Sequence, residues 1–158
     1  MSTTRHDKQD QVMSSQVITA TAVSEDSKDM TAADIDLSVN REMGYEILPE
    51  NDPGGTVDAT SLTFEAIQAD DAALTSNVEV IGSTGAITTA SAKLDKGKIV
   101  SLGIRKGAMT KQYQGVRVTV TGGTSPTQTF SAFFGPVDEQ ASFKPVARPS
   151  GQAPSYTP

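Results

Sequence analysis

The side chains that most often carry out catalysis are scarce in this chain. It has no cysteine, which excludes disulfides and thiolate metal ligands. His6 is the only histidine and lies in a polar N-terminal stretch, so no serine–histidine or cysteine–histidine pair can form in a core. The sequence therefore predicts a protein that is not an enzyme.

Two glycine-containing stretches share some residues with phosphate-binding or nucleophile loops. Residues 95–98 have only the Gly-Lys pair of a phosphate-binding loop. Residues 82–85 lack the spacing of a dinucleotide loop or of a nucleophile elbow. Both stretches are therefore predicted to be turns, and no cofactor is expected.

Neighbouring carboxylates occur in three pairs: Asp34 and Asp36, Asp70 and Asp71, and Asp138 and Glu139. The first pair would share one face of a strand, which would permit a calcium site, but none of the pairs has the spacing of an EF-hand loop. A glycosidase would need Glu65 and a second acid. The chain has no tryptophan and only three tyrosines to form a sugar platform. We interpret the acids as solvated and expect no metal site.

The elements that would position these side chains are short β-strands. Val116, Val118 and Val120 alternate with Arg117 and Thr119, which is the clearest period of two. β-Branched or alternating segments bounded by turn residues predict strands at 16–23, 35–39, 45–48, 62–68, 77–82, 98–104, 116–120 and 129–134. A short helix over residues 7–14 is the one helical segment expected. About eight strands without a long amphipathic helix predict an all-β, jelly-roll-like antiparallel sandwich.

The domain organisation follows from where this pattern begins and ends. Residues 1–15 are predicted to be an N-terminal arm, 16–137 the β domain, and 138–158 an extended, proline-rich C-terminal arm. Three isolated apolar residues stand in the last segment: Phe143, Val146 and Tyr156. They would anchor the arm on a partner subunit, or the segment is a frayed tail without a role.

Charge is distributed unevenly along the chain. Residues 1–80 contain sixteen acids and four bases, a net charge of −12, whereas 81–158 contain three acids and nine bases, a net charge of +6. Much of the basic excess falls on six residues: Lys93, Lys96, Lys98, Arg105, Lys106 and Lys111. They would dock a complementary partner or a neighbouring copy, or they are solvated charges that cluster in sequence alone.

Other partners and compartments are disfavoured by composition. A pI of about 4.7 and few aromatic residues argue against nucleic acid. No apolar run reaches the roughly 18 residues of a membrane span, and residues 1–12 have no apolar core of a signal peptide. We expect the protein to be made and kept in a cytosol-like compartment.

The order of segments resembles the small capsid cement (decoration) proteins of tailed bacteriophages. The segments that carry the resemblance are residues 16–24, the acidic 34–37, residues 62–71, a Gly-Ser-Thr-Gly stretch at 82–85, Gly-Val-Arg-Val-Thr-Val at 115–120, and Ser-Ala-Phe-Phe-Gly-Pro at 131–136. The resemblance covers about residues 16–137. It implies a jelly roll without catalysis that binds the outer capsid surface, at contacts between major capsid protein subunits.

The same resemblance implies self-association, commonly as homodimers, with a trimer as the other arrangement. The protein would be made in the host cytoplasm and reside on the outer surface of the virion. The alternative function is a glycan- or receptor-binding β-sandwich module on a phage particle. That alternative predicts an exposed aromatic patch.

Overall fold

The structure is a computed structural model and describes residues 10–31, 43–53, 61–105, 107–122 and 127–137. These residues form nine β-strands: β1 (Gln11–Ile18), β2 (Ala22–Val23), β3 (Lys28–Asp29), β4 (Met43–Pro49), β5 (Ser61–Ala69), β6 (Glu79–Thr88), β7 (Val100–Gly103), β8 (Tyr113–Thr121) and β9 (Gln128–Pro136). One 3₁₀ turn, Ala92–Leu94, lies between β6 and β7. The predicted all-β class is confirmed.

The strands pair in two antiparallel sheets. Sheet I has the order β1-β9-β4-β7, and sheet II has the order β2-β8-β5-β6. The short β3 also pairs with β8, so β2 and β3 together occupy one strand position. The last strand, β9, thus lies beside the first strand, β1, and β8 lies beside the position shared by β2 and β3. This order of eight positions in two sheets is that of a jelly roll, which confirms the predicted sandwich.

The core lies between the sheets and is filled by alternate residues of each strand. Val116 and Val118 are fully buried, and Val120 packs against the same core. Arg117 and Thr119 lie on the opposite face, as the period of two predicted. Across the sandwich, the ring centroids of Phe64 on β5 and Phe130 on β9 are 5.2 Å apart in an edge-to-face contact.

The first strand begins earlier than predicted. Residues 11–14, placed in a helix from the sequence, belong to β1, because Val12 and Met13 are buried in the core. β1 therefore begins within the predicted N-terminal arm. The predicted strand 16–23 is interrupted at 19–21, where the chain passes from sheet I to sheet II.

The predicted turn at residues 82–85 is wrong, because these residues lie inside β6. The pairing of β5 with β6 shifts register twice in this region, so the extra residues are absorbed as bulges. Gly82 is required by packing, since a Cβ there would lie 2.1 Å from the carbonyl oxygen of Gly103 on β7. The predicted strand 35–39, with Asp34 and Asp36, lies outside the described residues.

A loop between β5 and β6 covers part of the outer face of sheet II. Leu74 in this loop is 2% exposed and packs with Ile67 and Ala69 in a second, smaller apolar cluster. The Leu74 side chain contacts the sheet at Gly115. A Cβ on Gly115 would lie 2.4 Å from Leu74 Cδ1 and 2.6 Å from Ser24 Oγ. The missing side chain of Gly115 is therefore what allows the loop to dock.

We predict that Gly115→Ala lowers the free energy of unfolding by about 1–3 kcal/mol, because the added methyl overpacks this contact. Gly135→Ala is the matched control, since a Cβ at Gly135 meets no atom within 4 Å. Chemical denaturation of the three proteins measures the difference. Equal losses at both glycines would contradict the proposed packing of Leu74.

Candidate interaction surfaces

The two ends of the sandwich hold different sets of loops. At one end, Ser61 of β5 pairs with Thr88 and Thr121, and at the other, Ala69 pairs with Tyr113. We name these the Ser61 end and the Ala69 end. The nine residues of β5, at a rise of about 3.3 Å each, separate the ends by roughly 26 Å.

The predicted basic residues divide between these ends. Lys93, Lys96 and Lys98 lie in the connection from β6 to β7, at the Ser61 end. Arg105 and Lys111 lie in the connection from β7 to β8, at the Ala69 end. Lys106 and the predicted anchors of the C-terminal arm lie outside the described residues: Phe143, Val146 and Tyr156.

The loop at the Ser61 end is held in place by buried and backbone contacts. Leu94 is fully buried, and its carbonyl oxygen accepts a 2.6 Å hydrogen bond from Nε2 of Gln128. The N–H of Lys96 donates to Oδ1 of Asp52 at 2.8 Å, and the N–H of Gly97 donates to the carbonyl of Pro49 at 3.2 Å. The backbone of the loop is therefore fixed by the end of β4, by Asp52 just after it, and by the start of β9.

The three lysine side chains of this loop point into solvent. Lys93, Lys96 and Lys98 are all exposed. None of their ammonium groups forms an ion pair within the part of the chain that the structure describes. A fixed loop with three unneutralised ammonium groups favours an acidic partner surface.

Lys111 at the Ala69 end is in a different environment. Its side chain is only 14% exposed, and Nζ lies 3.5 Å from Oδ1 of Asp70 and 3.5 Å from Oε1 of Glu79. Nζ also donates to the carbonyl oxygen of Asn77. Lys111 therefore belongs to an ion-pair network that ties the β7–β8 connection to the β5–β6 loop and to the start of β6. Arg105 is exposed at this end.

Sequence analysis missed Gln68, which organises the same end. Gln68 is 1% exposed. Its Oε1 accepts from the N–H groups of Thr110 and Lys111 at 2.9 and 3.2 Å. Its Nε2 donates to Glu79 Oε2 at 2.9 Å and to Thr110 Oγ1 at 3.1 Å. The sequence did contain one signal for this role. Gln68 occupies the next inward-facing position after Leu62, Phe64 and Ala66, so a polar side chain follows three apolar ones on the same face of the strand.

We predict opposite effects of methionine at two paired glutamines. Gln68 and Gln114 are register partners and both are buried, but the Gln114 amide has no hydrogen-bond partner among the described residues. Gln68→Met should destabilise the protein by about 1–3 kcal/mol, because it removes the side-chain acceptor of two part-buried backbone N–H groups, those of Thr110 and Lys111. Gln114→Met should be neutral or stabilising. Thermal melting decides, and a comparable loss in both variants would contradict this assignment.

Asp71 fixes the backbone of the β5–β6 loop. Its Oδ1 accepts from the N–H groups of Ser76 and Thr75 at 2.7 and 2.9 Å, and its Oδ2 accepts from the Thr75 hydroxyl at 2.7 Å. The Ser76 N–H, followed by the Thr75 hydroxyl, holds the pKa of Asp71 below its ordinary value of 3.8. The ionised carboxylate thus stabilises the folded loop.

This lowered pKa gives a pH-dependent prediction. Since the folded pKa is the lower one, the stabilisation by Asp71 is present above pH 3.8 and is lost as the pH falls through the folded pKa. Asp71→Asn keeps an acceptor oxygen but cannot ionise. The difference in melting temperature between wild type and Asp71→Asn should shrink below that pH. A difference in melting temperature that does not change with pH would show that the charge of Asp71 does not contribute to stability.

A network on the outer face of sheet I is centred on Glu50. The Ser15 hydroxyl donates to Oε2 of Glu50 at 2.8 Å, and the Ser131 hydroxyl donates to Oε1. The N–H of Ser15 donates to the Ser131 hydroxyl at 3.1 Å. Ser15 has φ 50° and lies in a bulge of β1 between Met13 and Gln16. The bulge therefore directs Ser15 across β9 towards Glu50.

The outer face of sheet II has an ion pair at its centre. Nε of Arg117 lies 2.7 Å from Oε2 of Glu65, and the Thr119 hydroxyl donates to the same oxygen at 3.2 Å. Glu65, considered above as a glycosidase acid, is thus engaged with a neighbouring cation. Among the described residues, no group of three metal-ligating side chains occurs, and no helix has the length and apolarity of a membrane span.

These features define the class of the protein as an antiparallel jelly-roll sandwich with charged loop ends. The Bbp16 family model matches residues 12–134, which extend from β1 into β9. The chain therefore belongs to the Bbp16 family. A comparison with curated proteins found no match.

Proposed function

We propose that this protein is a non-enzymatic component of a tailed-bacteriophage particle, a cement or decoration protein. It binds the outer surface of the capsid and stabilises contacts between major capsid protein subunits. The observation that carries the proposal is the strand order of the two sheets. The resemblance to cement proteins implies a jelly roll over residues 16–137, and the chain forms one over Gln11–Pro136.

The surfaces also support a binding role. A cement protein must present a rigid surface to the capsid, and the described loops are held by buried side chains such as Leu94, Gln68 and Leu74. The three exposed lysines at the Ser61 end supply charge for orienting the encounter. The sandwich therefore combines a fixed shape with fixed charges.

The aromatic residues favour this proposal over a glycan-binding module. Tyr45, Phe64, Phe130 and Phe134 are buried in the core. The remaining two aromatic side chains that the structure describes, Tyr113 and Phe133, are half-buried. A sugar platform needs an exposed aromatic face, and the described part of the chain presents none.

The proposal is tested by co-sedimentation. The purified full-length protein should pellet with empty, expanded heads of the phage that encodes it, and should saturate at a fixed number of copies per capsid subunit. Binding should weaken as salt rises from about 0.05 to 0.5 M, because exposed charge pairs are screened. Absence of binding to these heads at low salt would refute the proposal.

The C-terminal arm is tested in the same assay by replacing Phe143, Val146 and Tyr156 with alanine in the full chain. If the arm grips a neighbouring subunit, the melting temperature should stay unchanged while head binding weakens, since each buried anchor contributes about 1.5–3 kcal/mol before ordering entropy. Unchanged binding would show that the β-sandwich, and not the C-terminal arm, makes the contacts with the heads.

A further inference from the structure

Gln114 and Tyr45 place polar groups in the core that no described residue hydrogen-bonds. Gln114 is 0% exposed, and neither its amide nitrogen nor its amide oxygen has a partner in the described part of the chain. Tyr45 is 0% exposed, and its hydroxyl also lacks a partner there. A polar group buried in this way costs free energy unless protein or ordered water binds it.

The two side chains enter the core from opposite sheets. Gln114 on β8 continues the inward alternation of Val116 and Val118. Tyr45 on β4 packs edge-to-face on Phe134 of β9, with ring centroids 5.3 Å apart. Sheet II therefore contributes the amide and sheet I the hydroxyl.

The register places both groups at one level between the sheets. The contact of Phe64 with Phe130 gives a common reference point. Gln114 lies on β8 four residues beyond the register partner of Phe64. Tyr45 lies on β4 four residues beyond the register partner of Phe130. Each group is thus about 13 Å along its strand from the ring contact.

A contact at the edge of the sandwich shows that both displacements run in the same direction. Gly103 pairs with Gly44, the neighbour of Tyr45. A Cβ on Gly82 would lie 2.1 Å from the carbonyl oxygen of Gly103. Gly82 pairs with the half of β5 that leads to the Ala69 end. Tyr45 is therefore displaced towards the Ala69 end, as Gln114 is.

The space between the two groups can be spanned by their side chains together with water. Packed sheets are about 10 Å apart, a gap that the contact of Phe64 with Phe130 already bridges between strands one position apart. Tyr45 and Gln114 lie on the opposite diagonal, on β4 and β8. The adjoining inward positions on the other two inner strands are Ala66 and Ala132, whose small side chains leave room beside the longer polar ones.

Gln68, the register partner of Gln114, cannot supply the bonds that Gln114 lacks. Its Oε1 accepts from two backbone N–H groups. Its Nε2 donates to Glu79 and to Thr110. A carboxamide has two donor hydrogens and two acceptor sites, so all four are already used.

We propose that the core binds one or two ordered water molecules between Tyr45 and Gln114, at the Ala69 end of the sandwich. One water accepts from the Tyr45 hydroxyl and donates to Oε1 of Gln114, and a second accepts from Nε2. Burial raises the pKa of Tyr45 far above its ordinary value of 10.0, so the hydroxyl keeps its proton and remains a donor. The waters link sheet I to sheet II, and this inference does not depend on the proposed function.

A high-resolution crystal structure of the full-length wild-type protein tests the proposal directly. Density for a water should lie within about 3.2 Å of the Tyr45 hydroxyl and of one amide atom of Gln114. Direct contact between the two side chains, or the absence of ordered density between them, would overturn the proposal. Density for an ion or an organic molecule at this position would overturn the assignment to water.

A double-mutant cycle tests the same link in solution. Tyr45→Phe should lower the melting temperature more in wild type than in Gln114→Met, by at least about 2 °C, because the hydroxyl has a partner only while the water is held. Release of the water offsets the bonds lost in Gln114→Met, which agrees with the neutral or stabilising effect expected above.

Gln128→Met is the matched control for the cycle. Gln128 is also a buried glutamine, but it lies at the Ser61 end, where its amide donates to the carbonyl of Leu94. The effect of Tyr45→Phe should therefore be the same in Gln128→Met as in wild type. Equal effects of Tyr45→Phe in all three backgrounds would contradict a shared water. Where a variant fails to fold, the wild-type crystal structure decides.

Discussion

The edge-to-face contact of Phe64 with Phe130 joins the two sheets within the core, and the positions of the loops depend on it. Phe64 belongs to β5, which lies between β8 and β6, and Phe130 belongs to β9, which lies between β1 and β4. Each ring thus extends from an inner strand of its sheet. Each inner strand fixes the position of its neighbours along the strand direction through its register. The contact between Phe64 and Phe130 therefore determines which loops of the two sheets lie together at each end of the sandwich.

Alternation in the sequence revealed much of the fold. β5 and β8 were predicted closely because both strands keep a strict period of two along their inward faces. Prediction failed where bulges break that period. Ser15 adds a residue to β1, and Gly82 and Gly85 stand within an irregular part of β6. The close approach of Gly82 to Gly103 depends on a contact between sheets, and no local pattern contains it.

The interaction surfaces were less accessible to sequence reasoning, because proximity along the chain differs from proximity in a jelly roll. Lys98 and Lys111 seemed to belong to one basic group, yet they lie at opposite ends of the sandwich, and Lys111 is neutralised by Asp70 and Glu79. Tyr45 and Gln114 likewise lie far apart in sequence. Only the strand order and the register reveal that they reach one level of the core.

The central proposal is that this jelly roll binds a capsid exterior. A cryo-electron microscopy reconstruction of empty, expanded heads saturated with the protein tests it most directly. We predict density for the sandwich on the outer surface, above contacts between capsid subunits. Heads without added density, or density bound only inside the shell, would contradict the account.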